Sequence, residues 1–344
     1  MRPRLDALSS PLRILANFES FPAVWSLPTG ESGTSRIVNG YAGFAQGMGE
    51  CDVILVDGDP WLVLKLCALF LVFPARRRLL VAVDLVMGEV PAAWHARLTC
   101  FLKKLLFRRV DRFINYFKSS EAYAKFYGIT PERSSYVPFK PNLRDRCETT
   151  FQPDGDYVLC FGRSRRDYDS FLQAVETLPY PAAIPRPDLA RLRAAGSRFS
   201  RPLDRLPLQV KLLDDDGSPE SMMRIVAGAK IVVLPMLPTN LLAGIGVYLS
   251  AMVLGKCVII TSGAGATDIL TDEALFVPPG DSTLLAKMIQ RAWEDDELRF
   301  RTAQSGYRYA MSLGGRPELY RRMLEALVAW IRSAGSTTGA ATGA

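Results

Sequence analysis

The sequence predicts an α/β protein built from two doubly wound, Rossmann-like parallel-sheet domains facing a cleft, and three observations carry that prediction. The chain has 344 residues, enough for two sizeable cores at about 100 to 200 residues per domain. Continuous apolar runs alternate with helical patterns in both halves, which marks parallel strands covered on both faces. Between the halves, "KPNLRDRCETTFQPDGD" at 140–156 is polar and turn-rich, as a linker is. The organisation that follows is an N-terminal domain over 1–145, a C-terminal domain over 146–315, a helix at 316–334 packing back toward the first domain, and a disordered tail at 335–344, where the sequence is small and polar.

In the first half, "LRILANF" (12–18), "DVILVDGD" (52–59), "RLLVAVDLV" (78–86), "RFINYF" (112–117) and "SYVPF" (135–139) read as strands. Helices are expected at about 34–48, 61–73, 91–109 and 119–127. In the second half the strands are "DYVLCFGR", "AAIPR", "LQVKLLDD", "KIVVLPML", "CVIITSG" and "ALFVPPGD". Each is followed by a helical segment or a turn, and from Ser282 onward the pattern is helical. Open parallel sheets bind ligands beyond the carboxyl ends of their strands, so those ends are where function is sought.

Composition removes several classes of chemistry. His95 is the only histidine, so no zinc site with several histidines can be assembled within one chain, and a histidine-dependent hydrolase would rest on that residue alone. His95 itself reads as a surface or packing residue. The six cysteines are spread singly, without C-x-x-C pairs, and read as reduced, buried residues of a cytoplasmic protein. The N-terminus lacks the apolar core of a secretory signal. The longest apolar run, Trp61 to Phe73, is 13 residues with Lys65 inside it, shorter than the roughly 20 needed to span a bilayer.

The formal charge of +7 is unevenly placed. Residues 1–150 hold 20 basic and 14 acidic side chains, against 22 and 21 in the remainder. The densest basic stretch is Arg97 to Phe113, where Leu98, Phe101, Leu102, Leu105, Leu106 and Phe113 recur at helical spacing and Arg97, Lys103, Lys104, Arg108 and Arg112 mostly take the other face. Two expectations compete: a basic amphipathic helix on an anionic membrane surface through residues 97–113, or an ordinary domain helix with a solvated charged face. Nucleic acid is not expected as a partner, since no aromatic-interleaved basic platform accompanies the charge.

Chemistry concentrates in Lys230 to Asp281, which reads strand, loop with Gly244 and Gly246, helix, strand, loop with Gly263 and Gly265, short helix, strand and "PPGD". Glycine at a helix start lets backbone N–H groups and the positive helix end approach a diphosphate. "LSAMVLGKCVII" at 249–260, "LFVPPGD" at 275–281, "FGRSRRDY" at 161–168 and "YFKSSEAYAKFYGITPERSSYVPF" at 116–139 together resemble the GT-B glycosyltransferases, in particular the large retaining family four, the glycosyl transferases group 1. The resemblance covers roughly 110–310.

That resemblance implies the GT-B fold and sugar transfer from a nucleotide-diphosphate sugar, with no metal and no cofactor beyond the donor substrate. It makes Arg163 the phosphate-binding arginine, with Arg166, or alternatively Arg165, standing in for a nearby lysine. It sets Gly244, Ile245, Gly246 and Val247 against the diphosphate, and Ser250 where a glutamate usually holds the ribose hydroxyls. The family's E-x7-E pair would fall on Leu242 and Ser250, neither of them acidic, and Asn240 is a substitute polar candidate.

Asp84, at a strand end in the first half, is the candidate catalytic or acceptor-binding carboxylate. Asp57 and Asp59 occupy a similar position, and the Gly/Ser stretch at 29–35 is a candidate loop near the donor phosphates. Each aspartate can equally be a helix cap or turn residue. The acidic run at 212–220 is expected to cap a helix and face solvent. The basic N-terminal half would suit an acceptor that is a carbohydrate, a lipid-linked molecule or a surface-polysaccharide precursor, and the expected location is cytoplasmic, with peripheral attachment to the inner face of the membrane if residues 97–113 take the membrane role. Two other functions stay open: a non-catalytic nucleotide-sugar-binding or scaffold protein, and a sugar-nucleotide epimerase.

Overall fold

The computed structural model describes residues 11–87, 94–118, 121–145, 148–238, 244–263 and 265–340, with side chains as far as residue 334. The chain divides into two compact units, residues 1–138 with 317–344, and residues 139–316.

The first unit is a seven-stranded sheet. Its strands are β1 (Leu12–Ala16), β2 (Val24–Ser26), β3 (Ser32–Ile37), β4 (Val53–Asp57), β5 (Leu79–Val83), β6 (Arg112–Asn115) and β7 (Ser134–Tyr136), in the order β2-β3-β1-β4-β5-β6-β7. All neighbours pair in parallel except β2 with β3. Strands β4 and β5 are almost wholly buried, as sequences apolar at every position but Asp57 require. Among the described residues they are accompanied by helices α1 (Gly40–Gly47), α2 (Pro60–Val72) and α3 (Trp94–Phe107) and by a wide helical turn at Tyr123–Tyr127.

One expectation fails here. The helix expected from residue 34 starts only at Gly40, and the Gly/Ser stretch at 29–35 is the turn and strand of a β2–β3 hairpin. Gly33 decides it, because a Cβ there would stand 2.3 Å from both the Leu12 carbonyl oxygen and the Trp25 ring. Only glycine lets β3 lie flat between β1 and the buried indole.

The second unit is a six-stranded, wholly parallel sheet of β8 (Tyr157–Cys160), β9 (Ala182–Pro185), β10 (Val210–Leu213), β11 (Ala229–Leu234), β12 (Cys257–Thr261) and β13 (Leu275–Val277), ordered β10-β9-β8-β11-β12-β13. Helices α4 (Tyr168–Glu176), α5 (Leu189–Ala194), α6 (Pro219–Ala227), α7 (Ile245–Met252), α8 (Ser282–Glu294) and α9 (Asp296–Ser312) follow its strands. Apolar clusters cover both sheet faces, one centred on Leu159, Val232 and Met252 and one on Phe171, Val233 and Ile289. The strand order reverses between β8 and β11, the switch point at which such sheets take ligands.

The last helix, α10, runs Arg316–Ala340. Tyr320 packs its ring 4.9 Å from Phe21 and 5.6 Å from Phe18, and its hydroxyl donates to the Glu19 carbonyl oxygen. The helix thus continues past Ala334 into the stretch expected to be disordered. Residues through Val328 are buried against the unit, and extending a helix that packing has already nucleated costs little per residue.

Among the described residues the five cysteines are free and buried, and no helix is long and apolar enough to cross a membrane. Lys256, only 1% exposed, donates its ammonium to the Pro153 carbonyl oxygen at 2.5 Å. Burial pulls this lysine down to about 8, partly opposed by Asp154. Between that value and the unfolded value of 10.5 the folded state has lost a proton that the unfolded chain keeps, so stability from this group rises across that window. Lys256→Met is expected to stabilise the protein by about 1–2 kcal/mol at pH 7, the lost bond to Pro153 offsetting part of the desolvation relief. Urea unfolding at pH 7 and pH 10 checks this, and the advantage should shrink at the higher pH.

Candidate active site

In the second unit, the site residues gather at the carboxyl ends of β8 and β11. Strand β8 exits through Phe161 into Gly162, which takes a left-handed φ of +110°. Arg166 then turns back beneath this loop and is 1% exposed. Its Nε donates to the Phe161 carbonyl oxygen at 3.0 Å, its Nη1 to the Ser164 carbonyl oxygen at 2.9 Å and to the Met236 sulfur, and its backbone N–H to Ser197 Oγ at 2.7 Å. Burial lowers its pKa, because this guanidinium has given up water for two carbonyls and a thioether, with no carboxylate among those partners. The next residue, Asp167, is fully buried, caps α4 by accepting from the Ser170 N–H, and binds Arg198 through both oxygens. Loop 162–167 is therefore pinned from below at two places.

Arg163 is exposed, and among the described residues its guanidinium makes no hydrogen bond or ion pair. Its carbonyl oxygen accepts from Ser197 Oγ, which fixes the backbone under a side chain left to solvent. Arg165 has a positive φ of +58° and lies over Gly196, where a Cβ would come 3.0 Å from its guanidinium. It leans toward the neighbouring loop, and Arg166 takes the central place.

Helix α7 begins at Gly244, with φ +98° and no side-chain cap. Its first N–H groups belong to Ile245 and Gly246, and the next two, of Val247 and Tyr248, bond back to the Gly244 carbonyl oxygen. A Cβ on Gly244 would lie 3.6 Å from Nη1 and Nη2 of Arg166. The positive end of a helix and a buried cation thus meet at one glycine, which together create a strong local preference for an anion. Gly246 has its own constraint, since a Cβ would stand 2.8 Å from Asn142 Nδ2.

Ser250 is the residue that the sequence sets against a ribose. It is 6% exposed, and its hydroxyl donates to the Gly246 carbonyl oxygen at 2.6 Å, one turn back in α7. Its only proton is committed within the helix. Asn240 and Leu242 lie outside the described residues. In the acidic run, Asp215 and Asp216 accept from the N–H groups of Gly217 and Ser218, while Ser218 and not an aspartate caps α6.

In the first unit, the carboxyl edge of the sheet carries three polar residues side by side. Asn17, just after β1, accepts from the Asp57 N–H at 2.7 Å and donates to the Asp57 carbonyl oxygen at 3.3 Å. Asp57 ends β4, and Asp84 follows β5 with its N–H on the Ile114 carbonyl oxygen at 2.9 Å. Burial pushes the Asp57 carboxyl up to about 6. Asp84 keeps a narrow window to solvent, yet burial, helped by the charge of Asp57, pushes it up to about 7. Both carboxyls are thus held above the ordinary carboxylate range, chiefly by loss of water.

Asp84 also holds φ +44°, a left-handed conformation that side chains other than glycine adopt at a cost. Tyr116, buried nearby, is driven well above its ordinary value by burial and by both aspartates. Asp59 has the capping role instead, accepting from the N–H groups of Trp61 and Leu62 at the start of α2. Asn17 was not among the residues singled out in the sequence. Its position at the end of β1, where the strand order reverses between β1 and β4, is the signal that finds it.

The architecture matches known structures across nearly the whole chain. HepE from Anabaena, solved in complex with UDP, superposes with a TM-score of 0.63 at 16% identity, covering 86% of each chain. The HepE complex with UDP and glucose gives 0.64 at 17% identity, over 84% of this chain and 81% of that one. Sucrose-phosphate synthase from Thermosynechococcus elongatus gives 0.62 at 16% identity, over 94% and 90%. This is the GT-B fold. Residues 155–295 of the GT-B chain also match the family model of the glycosyl transferases group 1. That segment holds every part of the anion site just described, from Gly162 to Ser250. No curated protein matches the sequence. The family match and the GT-B fold together support a glycosyltransferase.

Proposed function

We propose that the protein transfers a sugar from a nucleotide-diphosphate sugar to a hydroxyl of a carbohydrate or lipid-linked acceptor, in the cytoplasm, as a step in building a surface polysaccharide. The observation that carries this reading is the glycine start of α7 at Gly244, which brings no capping side chain of its own, set above the buried guanidinium of Arg166. A departing nucleoside diphosphate gains negative charge as the glycosidic bond breaks, and fixed positive charge at that place favours the transition state over the ground state. Arg163, exposed and without a protein partner among the described residues, is the mobile part of the same clamp. HepE, which shares the fold, was solved with UDP and with UDP and glucose, and the same donor class fits a site of this charge.

Asp84, supported by Asp57, receives the acceptor hydroxyl in the first unit. A carboxyl near 7 is ionised often enough to accept a proton at neutral pH and basic enough to hold it. Retention of anomeric configuration is part of the proposal and rests on the family likeness alone. Proton spectra of the product give its anomer directly, and an inverted product would remove that part.

Calorimetric titration with UDP, GDP and their sugars tests the donor site. Binding by at least one nucleotide is expected, weakened about 10- to 100-fold in Arg163→Ala. Lack of binding by all of them would sink the proposal. A second reading is favoured by Ser250, whose inward hydroxyl leaves α7 without a carboxylate or donor on that turn: a non-catalytic nucleotide-sugar-binding protein. Donor binding without hydrolysis or transfer, unaffected by Asp84→Asn, would select it.

A further inference from the structure

Helix α3 is turned the wrong way for an ordinary domain helix. Only Cys100 and Phe107 of its fourteen residues are buried. Its large apolar side chains face solvent instead, with Trp94 exposed by 76%, Leu98 by 50%, Phe101 by 62%, Leu102 by 51% and Leu105 by 48%. The exposed positions 94, 97, 98, 101, 102, 105 and 108 form one continuous helical face, with Arg97 and Arg108 interrupting and ending it. The expectation of a solvated charged face with an apolar face inward is therefore overturned.

Helix α2 widens the same surface. Trp61 is 63% exposed, and the Lys103 ammonium from α3 sits 5.0 Å from the centre of its ring. Monomeric soluble domains rarely leave such a contiguous apolar patch open to water, and one rimmed by charge marks a docking surface. We propose that α2 and α3 form a docking face for an anionic lipid bilayer, the aromatic and leucine side chains entering the acyl boundary and Arg97, Lys103 and Arg108 meeting headgroup phosphates.

Charge selects the occupant. Helices α2 and α3 carry Lys65, Arg97, Lys103 and Lys104 and no acidic side chain, and Arg108 follows α3 on the same exposed face. Two copies of this face brought together would juxtapose like charges, so a second copy of the chain is disfavoured. Anionic lipid supplies both an apolar layer and negative charge, and attracts each nearby cation. Binding of this kind lays helices in the interface plane and needs no spanning segment. It is independent of the sugar-transfer reading, because the face contains no residue assigned to that chemistry.

The test uses the full chain with phosphatidylglycerol-containing phosphatidylcholine vesicles and with pure phosphatidylcholine vesicles. Co-sedimentation with the first is expected, weakened about tenfold or more with the second. Phe101→Ser with Leu105→Ser should lower binding about tenfold, and Arg97→Glu with Arg108→Glu by a similar factor. Lys104 is left alone, because it donates to the Lys125 carbonyl oxygen and tethers the helix. Both variants should keep the wild-type unfolding midpoint and nucleotide binding, which separates failure here from failure of the catalytic reading. Emission from Trp61 and Trp94 in the unaltered protein should be quenched by brominated phosphatidylglycerol. Absence of quenching, equal binding by all three proteins, or a dimer in light scattering that both variants dissolve would each overturn the proposal.

Discussion

Gly162→Ala is expected to destabilise the protein by about 2–4 kcal/mol and to weaken nucleotide binding at least about tenfold. The first cost is conformational, since φ of +110° is a region that alanine rarely adopts. The second is steric. A Cβ at this position would stand 2.7 Å from both Nε and Nη2 of Arg166, and that side chain has no room to retreat, being 1% exposed and bonded to the Phe161 and Ser164 carbonyl oxygens. Pushing it aside moves the cation away from Gly244, so stability and anion affinity fall together. Gly217→Ala is the control, with a φ of +79° and nothing within 4 Å of its Cβ. It should cost only the backbone term, about 1 kcal/mol, and leave nucleotide affinity unchanged. Equal effects of the two substitutions would show that Arg166 is not held by the glycine.

Asp84→Asn is expected to separate stability from activity in opposite directions. The folded carboxyl titrates near 7 and the unfolded one near 3.8, so the folded state holds its proton more tightly. Stability from this group is therefore full below about pH 4 and is lost as pH rises toward 7. Asparagine removes the charge that burial disfavours and tolerates a φ of +44° better than most residues. A gain of about 1–3 kcal/mol at pH 8, shrinking toward zero at pH 4, is the expected unfolding result. Transfer to acceptor should fall about 100-fold or more, with nucleotide binding intact. Full transfer activity in the asparagine variant would remove Asp84 from the chemistry and leave it a strained structural residue.

What could be read ahead of the structure follows physical lines. Strands such as β4, β5, β11 and β12 announce themselves because a strand covered on both faces must be apolar along nearly its whole length, polar residues such as Asp57, Lys230 and Thr261 standing near its ends. The same rule hides β3, whose Ser-Gly-Thr-Ser residues have little strand preference and pair only because β1 and Trp25 lie against them. Glycines at the start of α7 mark the anion site plainly, since close approach to a phosphate needs them. The direction of a side chain is another matter. Ser250 sits on the expected turn but bonds inward to Gly246, a choice of rotamer that spacing does not encode. Periodicity likewise told that α3 has an apolar face without telling which way that face points.

The ring cluster of Phe18, Phe21 and Tyr320 joins the first strand's exit to the last helix. During synthesis, Tyr320 leaves the ribosome after every residue of the second unit has been made. The unit that begins first is thus finished last. Its sheet must wait with Phe18 and Phe21 uncovered while residues 139–316 complete a core of their own. A chain stopped before Tyr320 would release a folded second unit beside an unsealed first one, with two aromatic rings open to chaperones or to aggregation.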